Sequence, residues 1–583
     1  MDKKAESSEA TNFTDIPALT NAKSSTDPAV EIAEVLAPSS PSGDRTMAVP
    51  SAAPEAATRQ VARSAGIVGL AVTGSRILGL IREQVFAYFF GASREYDAFL
   101  TAFRIPNLLR DLFAEGALSA AFVTTFSQYL TAKSEKEAWR LANLVLNGLG
   151  LVLVVITALG ILFAPAIVDL IAPGFHQFPG KTELTVELTR IMFPFIILVA
   201  MAAVAMGILN ARDRFGVPAS ASSFFNLGSI VGGLAFAYAI DPQFGPRAIV
   251  GMAIGTLIGG TLQCLIQIPS LYGVGFRYRP MLSFTDAGVR KVMRLMGPAV
   301  IGAAAVQVNV FVNNYFASYL QNGAISWLNY AFRLMQFPIG VFGVAISMAT
   351  LPSISRAATR SDLDQFRHTL ASSLGLVFFL CVPSACGLII LGRPIISLIY
   401  ERGDFSAWDT QQTAAALAFY ALGLAGYAAI KVLAPAFYAL DDARTPMVIS
   451  LISIGTNVTL NWLLVRHYGF GHRGLALSTS GVATLNFVVL FLLMRRKMGH
   501  IEGRRIGQSL MKIGLASAVM SVACWWSLDV LATRWGGPGL VSAGATALVP
   551  IAVGAVVFLL SCKLLKVDEL ETITAAIRER LRS

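Results

Sequence analysis

The sequence predicts an all-α polytopic membrane protein of about 14 transmembrane helices. Three observations carry that prediction. Of 583 residues, 55% are hydrophobic and only 14% charged, with a mean hydropathy of +0.62, far more apolar than a soluble chain of this length. Apolar runs of about 20 residues, each long enough to cross a bilayer core, recur from near residue 63 to near residue 565. The short alternating segments of a transmembrane barrel do not occur.

In chain order, residues 1–62 are rich in Ala, Ser, Pro, Glu and Thr and read as a disordered cytoplasmic tail with no signal-peptide core. The predicted spans follow at 63–89, 96–128, 139–165, 185–210, 218–240, 248–271, 295–320, 325–352, 369–391, 410–438, 446–465, 474–494, 509–531 and 540–562. Their loops set the topology. With the N-terminus in the cytoplasm, the inside loops and C-terminal tail hold about 24 Lys/Arg, among them Lys133, Arg140, Arg277, Arg279, Arg356 and Arg495. The opposite loops hold about eight, including Lys181, Arg247, Arg393 and Arg402. That bias places both termini in the cytoplasm, and it makes the formal charge of +11 a loop charge, not a nucleic-acid surface. Gly251, Gly255 and Gly259 recur every fourth residue, a face for close helix packing. Cys264, Cys381, Cys386, Cys524 and Cys562 lie in or at the end of apolar segments without metal-ligand spacing, and read as small apolar side chains.

The chain also echoes itself. Ala102-Phe103-Arg104-Ile105 recurs as Ala331-Phe332-Arg333-Leu334, Phe113 meets Phe342 at the same offset, and Pro218 after ARDRFGV meets Pro446 after DDART. A constant offset favours duplication, and paired repeats suggest a transporter with a cavity between two lobes. The offset spans about seven predicted helices, an odd number. Inverted halves, or six-helix repeats joined by a crossing linker, both fit it.

Charge inside the spans needs a reason, because it costs several kcal/mol per group at the bilayer centre. GSRILGLIRE in the first span holds Arg76, Arg82 and Glu83, with Arg76, Gly79 and Glu83 on one helical face and Arg82 turned about 120° away. AFRIPNLLRDLFAEGA in the second holds Arg104, Asp111 and Glu115 on a shared face, with Arg110 aside and Asp97 earlier in the helix. Arg333 stands in SWLNYAFRLMQFPIGVFG with no acid near it in sequence. Two readings fit. In one, arginines pair with acids or snorkel to lock a bundle. Alternatively, several helices bring positive charge to one interior that attracts an anion, for which the planar, permanently charged guanidinium suits phosphate or carboxylate. Pro106, Pro338 and the glycines at 79, 116, 340 and 343 mark places where a span can bend, or simply pack.

The stretch GSRILGLIREQVFAYFFGASREYDAFLTAFRIPNLLRDLFAEGALSAAFV resembles the signature of the MurJ (MviN) family, the lipid II flippases of the multidrug/oligosaccharidyl-lipid/polysaccharide exporter superfamily. ILNARDRFGVPA, SWLNYAFRLMQFPIGVFGVAISMATLP and KVLAPAFYALDDARTP extend the resemblance over residues 63–565. It implies two lobes around a central cationic cavity and an extra C-terminal helix pair. The expected domains are 1–62 as tail, 63–271 as an N-terminal lobe of six helices and 272–294 as a cytoplasmic linker. They continue with 295–494 as a C-terminal lobe of six helices, 495–562 as the helix pair forming a lipid-tail groove, and 563–583 as a cytoplasmic tail. The family's cavity arginines fall on Arg76, Arg82, Arg110 and Arg333, its acidic positions on Glu83, Asp97 and Glu115, and a basic position on Arg104. The chain departs from some relatives at Asp111, where they carry arginine, and at Phe332, where they carry an acid.

The resemblance implies a transporter, not an enzyme, which moves lipid II from the cytoplasmic to the periplasmic leaflet of the bacterial inner membrane by alternating access. Arg76, Arg82, Arg110 and Arg333 would hold the pyrophosphate, while Glu83, Asp97, Arg104 and Glu115 orient them or gate the cavity. Expected partners are lipid II, membrane lipids and other cell-wall synthesis proteins, with no nucleic acid. No catalytic residue, metal or cofactor is expected. Without a Walker A sequence, a coupled cation or the membrane potential is the expected energy source. Asn309, Asn313, Asn457 and Asn461 suit either a cation or interhelical hydrogen bonds. The alternatives are a flippase for another lipid-linked oligosaccharide, a drug exporter, for which buried acids should outnumber bases, and an intramembrane polyprenyl-phosphate enzyme, which needs clustered aspartates or a base beside a nucleophile.

Overall fold

Fixed by backbone bonds that lipid cannot satisfy, the chain is helical almost throughout, with no strand among the described residues. The structure, a computed structural model, describes residues 53–110, 117–535 and 539–582, except for the side chains of 53–68, 298–306 and a few helix-end residues. It divides into two units, Met1–Val61 and Ala62–Ser583, and the helical bundle is the second. The tail expected at 1–62 therefore falls largely outside the described residues, as do Asp111, Glu115 and Gly116.

The first part of the bundle comprises α1 (Ala53–Phe90), α2 (Arg94–Arg110), α3 (Ala117–Ala132), α4 (Glu135–Leu162), the short α5 (Ala164–Ile171), α6 (Lys181–Met192), α7 (Phe195–Ala211), α8 (Gly216–Ile240), α9 (Ala248–Leu265) and α10 (Ile268–Gly273). After a linker come α11 (Ala287–Ser318), α12 (Ala324–Pro338), α13 (Val344–Thr359), α14 (Leu363–Tyr400), α15 (Ala407–Ala421), α16 (Leu424–Tyr438), α17 (Arg444–Asn461) and α18 (Gly471–Met498). The chain ends with α19 (Gly503–Trp535), α20 (Leu540–Leu564) and α21 (Asp568–Arg582). Starts are marked by the side chains expected there. Ser134 accepts from Glu137 N–H, Asp286 from Gly288 and Val289, Asp362 from Gln365, and Ser406 forms a capping box with Asp409.

Ten helices or joined helices among the described residues are long and apolar enough to cross a bilayer, and the pair α15 and α16, bent by 44°, makes an eleventh. That is short of the fourteen predicted from the sequence. The predicted spans outside this set are 63–89 and 96–128, which hold the charged stretches, and 295–320; each includes side chains outside the described set.

The duplication is legible in the helix starts. Helices beginning at 94, 135, 181, 195 and 216 have counterparts beginning at 324, 363, 407, 424 and 444. Helix α1 thus corresponds to α11. Pro338 is followed by a π-helical turn at Ile339–Gly343 before α13, so the backbone there is widened where proline withholds a donor.

Small residues let α8 and α9 touch backbone to backbone. A Cβ at Gly251 would lie 2.1 Å from Ala237 N, one at Gly255 2.3 Å from Gly233 Cα, and one at Gly259 2.5 Å from Phe225 O. The every-fourth-residue glycines are a packing seam. Gly255→Val should lower the melting temperature of the detergent-solubilised protein by a few degrees, since overpacking costs about 1–3 kcal/mol. Gly150→Val, where a Cβ meets nothing within 4 Å, should leave it unchanged.

Candidate functional site

Glu83 is the centre of the site. It lies near the end of α1, with its side chain 4% exposed, and a buried carboxylate must be matched by donors. Four side chains supply them: Arg82 at 3.3 Å, Tyr96 Oη at 3.0 Å from α2, and Asn329 Nδ2 at 3.4 Å and Arg333 at 2.9 Å from α12. Arg333, alone in its own segment, therefore finds its acid across the repeat boundary. The helical-face argument set Arg82 apart from Glu83, but the flexible arginine stem closes that gap, and its guanidinium also lies over the Phe225 ring at 5.3 Å. Arg82 Nε is buried without a hydrogen-bond partner among the described residues. The Arg333 side chain remains 41% exposed, so the pair with Glu83 does not exhaust its five N–H donors.

Aromatic rings wall this cluster. Phe86 and Tyr96 stack at 5.0 Å, Tyr96 meets Tyr330 at 5.4 Å, and Tyr330 meets Tyr400 at 4.8 Å and Phe405 at 5.3 Å. All are buried, so the Glu83 pairs act in a low-dielectric surrounding where attraction is stronger than in water.

A second cluster centres on Asp97, which is 1% exposed. It accepts from Lys181 Nζ at 2.9 Å, from the backbone N–H of Gly323 at 2.8 Å and Ser326 at 2.9 Å, and from Ser326 Oγ at 2.7 Å. An acid of the first repeat thus caps the start of α12 in the second, where free N–H groups and the helix dipole favour negative charge. Asp97 and Ser326 are 229 positions apart, the repeat offset, so equivalent positions touch one another. Asp97 contacts none of the predicted arginines. Lys181, which the sequence places in an outside loop, is 1% exposed, pairs with Asp97 and Asn322, and lies over the Phe175 and Phe178 rings. Its only sequence signal was an isolated lysine directly after Pro179-Gly180.

The same end of the bundle is sewn together by backbone. Asp404 N–H donates to Tyr88 O at 2.9 Å, Gln84 Nε2 to Ile399 O at 3.1 Å, and Tyr330 Oη to Gly91 O at 3.2 Å. Gly91 and Gly403 both adopt positive φ, and a Cβ on either would press within 2.4 Å of the other segment's backbone.

The remaining predicted residues lie further along these helices. Arg76 is six residues before Arg82, about 9 Å along α1, and its guanidinium nitrogens lie 3.6 Å from where a Gly340 Cβ would sit. Glycine in the π-helical turn leaves the room that Arg76 fills. Arg104 is half-buried within electrostatic range of Tyr420 and makes no hydrogen bond or ion pair with a described residue. Arg110 ends α2, half-buried. Phe332 packs edge-on against Tyr420 at 5.4 Å.

In the second repeat the four asparagines bind one another. Asn457 and Asn461 both donate to Asn313 Oδ1, at 3.1 and 2.8 Å, Asn313 donates to Thr479 at 3.1 Å, and Asn309 to Ser453 at 3.4 Å. This network ties α11, α17 and α18 and contains no acid, the use as interhelical hydrogen bonds.

Comparison with known proteins bears on the family and the fold. The profile of the family described as Lipid II flippase MurJ matches residues 86–542. A probable lipid II flippase MurJ of Vibrio cholerae serotype O1 is 35% identical over 488 residues, covering 82% of this chain and 92% of that protein. The lipid II flippase MurJ of Burkholderia cenocepacia is 36% identical over 427 residues, 73% of this chain and 81% of that protein. A solved lipid II flippase MurJ in an inward closed conformation superposes with a TM-score of 0.69 at 28% identity, covering 85% of this chain and 98% of that one. An inward-facing multidrug resistance MATE family transporter of the MOP superfamily shares the fold, with a TM-score of 0.62 at 14% identity over 74% of this chain and 96% of its own.

The Asp97–Lys181 pair gives a direct check. Lys181→Met strands a buried carboxylate and should destabilise the protein by about 3–5 kcal/mol in thermal melts. Adding Asp97→Asn should recover part of that loss; equal and additive losses would mean the two do not interact.

Proposed function

The chain belongs to the MurJ family of lipid II flippases, and from that premise we propose that it carries lipid II across the bacterial inner membrane by alternating access. It is a transporter, not an enzyme. The single observation that supports the mechanism best is that Glu83 of the first repeat holds Arg333 of the second beside Arg82.

The chemistry follows from the substrate. The head of lipid II, a disaccharide-pentapeptide on a pyrophosphate, is too polar to cross lipid unaided, and its polyprenyl tail is too apolar to leave it. Arg76, Arg82, Arg110 and Arg333 hold the pyrophosphate, because guanidinium N–H groups bind phosphate oxygens in pairs and stay charged at any depth. Arg82 and Arg333 already share a counterion in Glu83. A pyrophosphate arriving beside them competes with that carboxylate, and so loosens the contact that joins the repeats. Glu83 and Asp97 then act as gate residues, Arg104 keeps the interior positive, and Glu115 retains its expected supporting role.

The joined end, with its few Lys/Arg, is the periplasmic end, and both termini lie in the cytoplasm. The two lobes are 63–271 and 295–494, linked by 272–294. Helices α19 and α20 pack on α14 and present Val522, Trp525, Trp526 and Leu548 outward, an apolar surface that accompanies the tail. A net cationic interior moves with the membrane potential, worth about 2.3 kcal/mol per charge per 100 mV, which supplies a driving force without a nucleotide site.

Complementation tests this reading. In cells depleted of their own flippase, the wild-type chain should restore lipid II display on the outer leaflet. Arg76→Ala and Arg333→Ala should each abolish it at normal protein levels. If both variants retain full display the cationic site is wrong, and failure of a well-expressed wild type points to another lipid-linked oligosaccharide.

A further inference from the structure

A second basic pocket lies where α18 ends and α19 begins. It has a volume of about 580 Å³ and is lined by Phe491, Arg495, His500, Glu502, Arg504 and Arg505 with their neighbours. Charge here is unevenly satisfied. Arg505 Nη1 donates to Glu502 at 3.0 Å, and Glu502 also meets His368 Nδ1 at 3.2 Å. Although partial burial opposes it, hydrogen bonds from Arg505 and His368 hold the Glu502 carboxyl below its usual range. Nearby, Lys497 is committed to Asp442, whose carboxyl is lowered to about 2 chiefly by that hydrogen bond. Arg495 and Arg504 face the pocket exposed, with no ion pair or side-chain hydrogen bond to a described residue.

The helix sides that bear Arg495 and Arg504 continue as apolar faces. On α18, Val488 lies two turns before Arg495 on the same side, with Phe491 between them. On α19, Met511 and Leu515 follow Arg504 at spacings of seven and eleven, again on one side. Val488, Met511 and Leu515 are 41%, 70% and 54% exposed. Both helices are long and apolar enough to span the bilayer, so their shared end lies at headgroup depth with hydrocarbon beside it. A soluble phosphate would use the charge and leave this face unused; a lipid uses both.

We propose that Arg495 and Arg504 bind the phosphodiester of an anionic phospholipid, with its acyl chains along Val488, Met511 and Leu515. The pocket shares no residue with the Arg76, Arg82, Arg110 and Arg333 site, so the inference does not depend on the transported substrate. Basic pockets between helices at the cytoplasmic membrane surface suit such headgroups, each Lys/Arg contributing about 1 kcal/mol.

Native mass spectrometry of the purified full chain with phosphatidylglycerol or phosphatidylcholine tests it. The wild type should retain phosphatidylglycerol preferentially. Arg495→Gln with Arg504→Gln should reduce that retention by about thirtyfold. Glu502→Gln, which removes the pocket's acid, should increase it, a gain that misfolding cannot mimic. Arg277→Gln with Arg279→Gln, in another basic loop, should leave it unchanged. Equal retention of phosphatidylcholine, or wild-type retention by the double variant, overturns the proposal. Displacement of the lipid by inorganic pyrophosphate at equal concentration also overturns it, in favour of a soluble anion.

Discussion

A carboxylate without water must be surrounded by donors, and Glu83 meets that requirement only by drawing on both repeats. Arg82 comes from its own helix, Tyr96 from the next, and Asn329 and Arg333 from α12. Arg82 and Tyr96 alone leave part of the carboxylate unmatched, so the position of α12 against α1 and α2 is held by the Asn329 and Arg333 contacts to this one group. The aromatic wall of Phe86, Tyr96, Tyr330 and Tyr400 keeps water away and makes the constraint stricter. The Asp97 cap on α12 and the Tyr88–Asp404 backbone bond reinforce the same closed end.

That arrangement joins the two readings of intramembrane arginine that the sequence leaves open. Arg82 and Arg333 lock the bundle through Glu83, and the exposed part of Arg333 leaves donors for an anion. In the proposed cycle these roles alternate, because a phosphate that satisfies the arginines removes the reason for the lock. Arg76 lies about two turns earlier on α1, against Gly340.

Much of this was legible in the sequence because membrane helices announce themselves by length and hydropathy, and because charge within them is rare. Arg76, Arg82, Glu83, Asp97 and Arg333 were all visible on that ground. The glycine seam of α8 and α9 followed from spacing alone. Pairing was not legible. Arg333 and Glu83 are 250 positions apart, and no local pattern links them. Lys181 was lost for a related reason: a lysine at a span's edge looks like loop charge, and only the fold shows it buried against Asp97. Which helices correspond across the repeat also needed three dimensions, since the offset alone does not give the helix starts that pair.

The central claim is that the Glu83 contact is the latch between the repeats, opened by an anion on Arg82 and Arg333. Electron–electron resonance between spin labels at Glu183 and Trp408, exposed on the first and second repeats at the joined end, reads it most directly, in a protein whose five native cysteines have been replaced. The account predicts one short distance without substrate, a second and longer population when lipid II is added, and enrichment of that longer population in Glu83→Gln without any substrate. A single distance, unchanged by lipid II and by Glu83→Gln, would contradict it.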